Sequence, residues 1–420
     1  MISSYGLGGI RLLTLDQVQT VALAGIVLFL GYGIRRLVPI LSRYNVPAPV
    51  IGGLLVANFM LVAKAYGWTP VVFNTSLQSP LMIAFFTSIG FGASLSLLRV
   101  GGPAVAFFFL LSTVMAIGQN VLGAAAAWAL GQNPLMGVLA GSVTLTGGPA
   151  TGLAFAPLFE KAGVPGAATL AVAAAMVGIV SGGVIGGPIG TWLIGRAGAK
   201  PERTVAHSDP PLATAIVEKQ MPEPPVTAPS GEDVESYGLL KALVLVLTAM
   251  WAGSWLTNGF AAVGITLPAY IGAMLVAALL RNVDDATRWI GISQRTVDDL
   301  GGIALSLFLV MALMTLRLWD LVGLALPLAV IVFLQVVAIA IVAAFVVFRT
   351  MGRDYEAAVM SGGFIGFMLG TTANAMANME ALVERYGPAP KAFLVVPMVG
   401  AFFIDFTNAI IITICLNLWG

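Results

Sequence analysis

The sequence predicts an all-α polytopic membrane protein of two inverted repeats, each with five transmembrane helices and a re-entrant hairpin. Three observations predict it. Of 420 residues 59% are hydrophobic and 9% charged, with mean hydropathy +0.97, whereas soluble domains carry about 25% charged residues. The second half of the chain repeats the plan of the first. Lysine and arginine segregate to one side of the membrane when one stretch in each half turns back instead of crossing.

In the first repeat, residues 1–197, apolar runs long enough to span a bilayer fall at 17–37, 47–66, 80–98, 103–130 and 167–194. Between the last two lies 134–159, an apolar stretch whose centre reads Gly141-Ser-Val-Thr-Leu-Thr-Gly-Gly-Pro-Ala-Thr-Gly152. Glycine costs a helix interior about 1 kcal/mol and proline about 3. Such backbone survives at membrane depth only where protein or a watery cavity covers it. Residues 198–236 are rich in proline and poor in apolar side chains, and are expected to form a cytoplasmic linker. The second repeat, 237–420, has runs at 239–260, 267–280, 297–316, 321–348 and 392–418. Its own irregular stretch, 357–382, contains Gly362-Gly-Phe-Ile-Gly-Phe-Met-Leu-Gly-Thr-Thr-Ala-Asn374.

The duplication is visible in residues. Ile51-Gly-Gly-Leu-Leu-Val-Ala57 matches Ile271-Gly-Ala-Met-Leu-Val-Ala277, and Ala93-Ser-Leu-Ser-Leu97 resembles Ala312-Leu-Met-Thr-Leu316. Gln119 corresponds to Gln335 and Glu160-Lys-Ala-Gly163 to Glu384-Arg-Tyr-Gly387, all at offsets of 216 to 224. With both irregular stretches turning back and the N-terminus outside, sixteen of the twenty cations are cytoplasmic, and only Arg11, Lys64, Lys161 and Arg317 are outside. With both crossing, the split is eight against twelve. The positive-inside rule therefore selects hairpins. Five spans per half is an odd number, so the repeats are inverted, both termini are outside and the linker is inside. Two arms of about 12 residues at about 1.5 Å each reach near the bilayer midplane.

Half-helices meeting at that depth aim amides and carbonyls into a cavity, amide ends suiting an anion and carbonyl ends a cation. The candidate residues of the first turn are Ser142, Thr144, Thr146, Gly147, Gly148, Thr151 and Gly152; those of the second are Gly366, Gly370, Thr371, Thr372, Asn374 and Asn378. Asp405 is the only carboxylate well inside a predicted span, with Asn408 on the same helix face. Oxygens of Thr, Asn and Asp suit a hard cation such as sodium, with Asp405, Asn374 and Thr146 as candidate ligands. Gln119 and Gln335 read as interhelical hydrogen bonds. Arg99, Arg317, Lys64 and Trp68 read as interface anchors. Cys415 reads as a small apolar residue.

Enzyme classes are disfavoured. The one histidine, His207, lies in the linker, away from any serine it would have to activate. There is no G-x-x-x-x-G-K-[ST] phosphate loop and no Cys/His cluster. No cleaved signal peptide is expected. A net charge of +1 carries no nucleic-acid footprint. The classes left open are a secondary transporter coupled to sodium or protons and a passive anion channel.

Almost end to end, the chain resembles the glutamate:sodium symporters, a family of bacterial secondary transporters. The strongest points are Pro49-Val-Ile-Gly-Gly-Leu-Leu-Val-Ala57, Leu135-Met-Gly-Val-Leu-Ala-Gly-Ser-Val-Thr-Leu145, Leu305-Ser-Leu-Phe-Leu-Val-Met-Ala-Leu-Met314 and Ala392-Phe-Leu-Val-Val-Pro-Met-Val-Gly-Ala-Phe-Phe-Ile-Asp405. The resemblance implies import of L-glutamate, or a related small carboxylate or amino acid, with sodium as coupling ion and no other cofactor. It also implies the bacterial inner membrane, a homodimer, and elevator-like movement of a hairpin domain against a scaffold. The chain departs from the family pattern at the turns. Pro149 and Ala150 stand for His and Gly, Phe364-Ile365 for His-Cys, and Met368 for Gly.

Overall fold

The computed structural model describes residues 3–5, 11–66, 71–197, 233–262, 268–321 and 323–419, without the side chains of 3–5, 11–12, 97–101, 197, 269 and 401–402. The linker at 198–232 with His207, the Trp68 anchor, and the side chains of Arg11 and Arg99 lie outside the described residues. We label the principal helices α1 (Gln17–Leu37), α2 (Ala48–Ala65), α3 (Gln78–Gly92), α4 (Leu95–Ala129), α5 (Pro134–Val138), α6 (Gly148–Lys161), α7 (Ala167–Ala197), α8 (Val234–Ala262), α9 (Ala269–Thr287), α10 (Gln294–Met314), α11 (Ala325–Val342), α12 (Tyr355–Leu369), α13 (Thr372–Tyr386), α14 (Pro390–Met398) and α15 (Ile404–Trp419). Among the described residues the chain is all-α apart from a small three-stranded sheet of Ser3–Tyr5, Arg11–Thr14 and Val71–Val72.

Seven of these helical segments are long and apolar enough to cross a membrane, so the protein is a multi-pass membrane protein. The other three expected spans fall short for local reasons. α3 has 15 residues. α9 carries Arg281, Asp284 and Asp285 in its last turns. The final span is divided into α14 and α15 by a wide π-turn at Val399–Phe403.

Local chemistry sets the ends. Asp16 and Gln19 form a reciprocal capping box at the start of α1. Asn133 caps α5 ahead of Pro134, Asp354 caps α12 and Thr371 caps α13. α4 is one helix only in name, because Gly102 leaves helical geometry ahead of Pro103.

The helices sort into two packed groups. α1, α2, α3, α8, α9 and α10 pack on one another; α4, α7, α11, α14 and α15 pack around α5–α6 and α12–α13. Within the first group, corresponding glycines make corresponding contacts. A Cβ at Gly52 of α2 would overlap the Val27 carbonyl of α1, and one at Gly272 of α9 would overlap the Gly253 carbonyl of α8. Gly90 seats α3 on the Met274 backbone of α9, and Gly53 seats α2 on Leu313 of α10. Small residues at these crossings let backbones approach closely. The two groups meet at Tyr270 of α9, whose ring stacks on Phe86 at 4.4 Å and meets Phe155 of α6 edge-on at 5.3 Å.

Candidate functional site

Each irregular stretch forms a pair of helical arms joined by a break. In the first, α5 runs into a π-turn, Leu139–Val143, inside which Gly141 leaves helical geometry. The chain turns through 144–147 and restarts as α6 at Gly148, whose φ is +69°, followed by Pro149 in the first turn. Proline there needs no amide partner, and glycine accepts the left-handed backbone. In the second, α12 ends at Leu369, Gly370 is non-helical, and Thr371 caps α13, its hydroxyl accepting from Asn374 N. α5, α12 and the first turns of α6 are largely buried, whereas α13 buries one face, at Asn374, Ala375, Asn378, Met379 and Leu382.

The two breaks meet. A Cβ built on Gly148 would stand 3.6 Å from the Gly370 carbonyl oxygen and 3.6 Å from Thr371 Cγ2. Gln119 of α4 joins them a second time. Thr146 Oγ1 donates to Gln119 Oε1 at 2.6 Å, Gln119 Nε2 donates to the Met368 carbonyl at 2.9 Å, and Gln335 Nε2 of α11 donates to the Gln119 carbonyl at 2.6 Å. Thr146, Gln119 and Gln335 are all buried.

The structure separates the candidate residues by what they touch. Thr146, Gly147, Gly148, Gly370, Thr371 and Thr372 lie at the breaks themselves. Ser142 lies at the end of the first arm, its N–H donating to Asn120 Oδ1 at 3.0 Å and its carbonyl accepting from Asn408 Nδ2 at 2.9 Å. Thr144 turns back on its own arm, donating to the Leu139 carbonyl. Thr151 and Gly152 face inside the first pair, where Gly152 leaves no room for a Cβ between Thr144 and Ala171. Gly366 lies inside α12 and gives close passage to the Asn374 backbone. Asn374 Nδ2 donates to Ile179 O at 2.8 Å and Asn378 Nδ2 to Gly182 O at 3.0 Å, so both tie the second pair to α7. Asp405 is half-buried in the first turn of α15.

Several buried oxygens in this region have no hydrogen-bond partner: Ser142 Oγ, Asn374 Oδ1, Asn408 Oδ1 and Gln335 Oε1. Such atoms call for a ligand, an ion or water. Sequence reasoning missed Asn120 and the Met368 carbonyl. It read Gln119 and Gln335 as interhelical hydrogen bonds, which they make, but did not find that Gln119 joins the two breaks.

A cavity of about 600 Å³ opens between α6, the start of α7 and the end of α10. Glu160, Thr169, Arg317 and Asp320 line it.

The sequence profile of the sodium/glutamate symporter family matches residues 13–388. The chain is 41% identical to a sodium/glutamate symporter of Escherichia coli (strain K12) over 406 residues, 96% of this chain and 98% of that one. A sodium/glutamate symporter of Haemophilus influenzae is 37% identical over 404 residues, 96% and 97% of the two chains.

Proposed function

Because this chain belongs to the sodium/glutamate symporter family, a family of transporters and not of enzymes, we propose that it imports L-glutamate, or a related small carboxylate or amino acid, together with sodium. The observation that carries this reading is the meeting of Gly148 with Gly370 and Thr371. It brings the N-termini of α6 and α13 to one place, where helix dipoles favour a carboxylate. Buried oxygens without partners stand close by, as a cation requires.

In this reading each helix pair is a re-entrant hairpin and the halves are inverted five-span repeats. The matched glycine contacts of α2 on α1 and α9 on α8 support it. The first packed group is the scaffold, and the second, with both hairpins, moves against it in an elevator-like fashion. Tyr270 and Phe155 form the sliding contact. The termini lie outside the bacterial inner membrane, the linker inside, and the scaffold pairs with a second copy. Sodium binds first and lowers the electrostatic cost of admitting an anion.

The test is uptake into proteoliposomes. Labelled glutamate is competed with aspartate, glutamine, neutral amino acids and dicarboxylates, under sodium or proton gradients. Saturable accumulation that needs a sodium gradient supports the reading. Ohmic flux without accumulation identifies a channel, and accumulation driven by pH alone identifies a proton-coupled carrier.

A further inference from the structure

Ser142 and Asn408 carry side-chain oxygens that the fold buries and leaves without partners. Their exposures are 0% and 1%, and neither Ser142 Oγ nor Asn408 Oδ1 has a hydrogen bond. The two residues are held side by side, since Asn408 Nδ2 donates to the Ser142 carbonyl at 2.9 Å. Asn120 closes the third side. Its Oδ1 accepts from Ser142 N at 3.0 Å, while its amide nitrogen turns away toward Cys415 Sγ at 3.7 Å. The side-chain nitrogens at this place are thus engaged, and what remains free is oxygen.

Asp405 stands three residues before Asn408 in α15, on the same helix face. It makes no hydrogen bond or ion pair with a described residue. It is less buried than Ser142 and Asn408. The π-turn that contains Ser142 ends the first arm, and the C-terminal end of a helical segment carries the negative end of its dipole. Oxygen atoms, an unpaired carboxylate and a helix C-terminus all favour a hard cation.

We propose that Ser142 Oγ, Asn408 Oδ1 and the Asp405 carboxylate hold one sodium ion behind the first turn, apart from the substrate between Gly148 and Thr371. This rests on the sodium-coupled reading and sharpens it. Asn374, whose Oδ1 is also without a partner, belongs to the second helix pair, where its Nδ2 donates to Ile179 O of α7.

The test is sodium titration of the purified protein in detergent, at constant ionic strength with choline as the replacement cation. Tryptophan fluorescence and thermal unfolding give the sodium midpoint. Ser142→Ala and Asn408→Ala are each expected to raise that midpoint roughly tenfold or more, the loss expected when a group supporting a metal site is removed. Potassium is expected to produce no such response. Ser112→Ala, which removes another buried hydroxyl without a partner, is expected to leave the midpoint unchanged. Because Ser142→Ala removes a single unpartnered atom, it keeps the test valid if Asn408→Ala folds poorly. Wild-type midpoints in both variants, with sodium-driven uptake intact, would overturn this site and leave the symport reading standing. A wild-type protein that neither responds to sodium nor accumulates substrate with it would remove both.

Discussion

Thr146, at the break of the first helix pair, donates its hydroxyl to Gln119 Oε1 at 2.6 Å, and the same Gln119 side chain donates to the Met368 carbonyl of the second pair. One amide therefore holds both breaks, using its acceptor for one and its donor for the other. Gln119→Leu leaves a buried hydroxyl and a buried carbonyl without partners, at about 1–3 kcal/mol each. The variant is expected to unfold at lower temperature and to lose most uptake. Gln119→Glu keeps the acceptor for Thr146 but removes the donor to Met368. It is expected to retain more stability than Leu while still transporting poorly. Thermal unfolding and proteoliposome uptake measured side by side check both, and wild-type uptake by Gln119→Leu would refute the coupling.

Gly148 has φ +69° and Gly102 has φ +66°. Both lie at positive φ, which L side chains rarely adopt, so an alanine at either is strained by about 1–3 kcal/mol. Nothing lies within 4 Å of a Cβ at Gly102, whereas one at Gly148 meets the Gly370 carbonyl and Thr371. Both alanine variants are expected to lower stability similarly, but only Gly148→Ala is expected to weaken substrate affinity as well. Equal apparent KM values in the two variants would separate Gly148 from the substrate site.

The helices and their breaks were legible in the sequence because membrane burial forces apolar runs. A cluster such as Thr146-Gly-Gly-Pro149 stands out against one. The correspondence of Gly52 with Gly272 was also legible, and each seats its helix on the preceding long helix. What was not legible is which distant groups the breaks find. Gln119 and Met368 are joined by packing of elements far apart in the chain, and no local periodicity encodes that contact. Asn378 illustrates the converse. It shares a helix face with Asn374 as expected, and its Nδ2 donates to Gly182 O and Gly362 O, contacts that no local pattern encodes.

The packing of α9 on α8 can be tested directly. A Cβ at Gly272 would overlap the Gly253 carbonyl and the Thr257 hydroxyl, while nothing lies within 4 Å of a Cβ at Gly259. Gly272→Ala must push the two backbones apart, and overpacking of this kind costs about 1–3 kcal/mol. Gly259→Ala in the same helix pair is expected to be neutral or slightly stabilising, through the propensity gain of alanine. Thermal unfolding in one detergent compares them, and a stable Gly272→Ala would refute the close crossing.

Asp284 lies past Leu280, beyond the apolar part of α9, and folds the following turn around itself. Its carboxylate accepts from the backbone N–H groups of Ile290, Gly291 and Ile292 at 2.7, 2.9 and 2.8 Å. Burial works to raise its pKa, but these three donors and the Arg281 charge prevail and hold it below the usual carboxylate value. A depressed folded pKa stabilises the protein above the unfolded pKa, and that stability is lost as pH falls through the folded value. Asp284→Asn is therefore expected to unfold more readily than wild type at neutral pH, and the gap is expected to close under acid. A gap that widens under acid would contradict the assignment.

Asp405 is a carboxylate in an apolar helix with no described ion-pair partner. A charge at that depth is costly and needs compensation. If its role were only to pack, Asp405→Asn, nearly the same in shape, would leave sodium-driven uptake intact and raise stability by removing the charge. If it offsets the charge of an entering cation, the same variant is expected to lose gradient-driven accumulation while still folding, with the remaining uptake independent of sodium. Uptake by Asp405→Asn and Asp405→Glu, with and without a sodium gradient, decides between them. Full accumulation by the asparagine variant would exclude a cation role, and partial recovery by glutamate would confirm that the charge, and not the shape, is what transport requires.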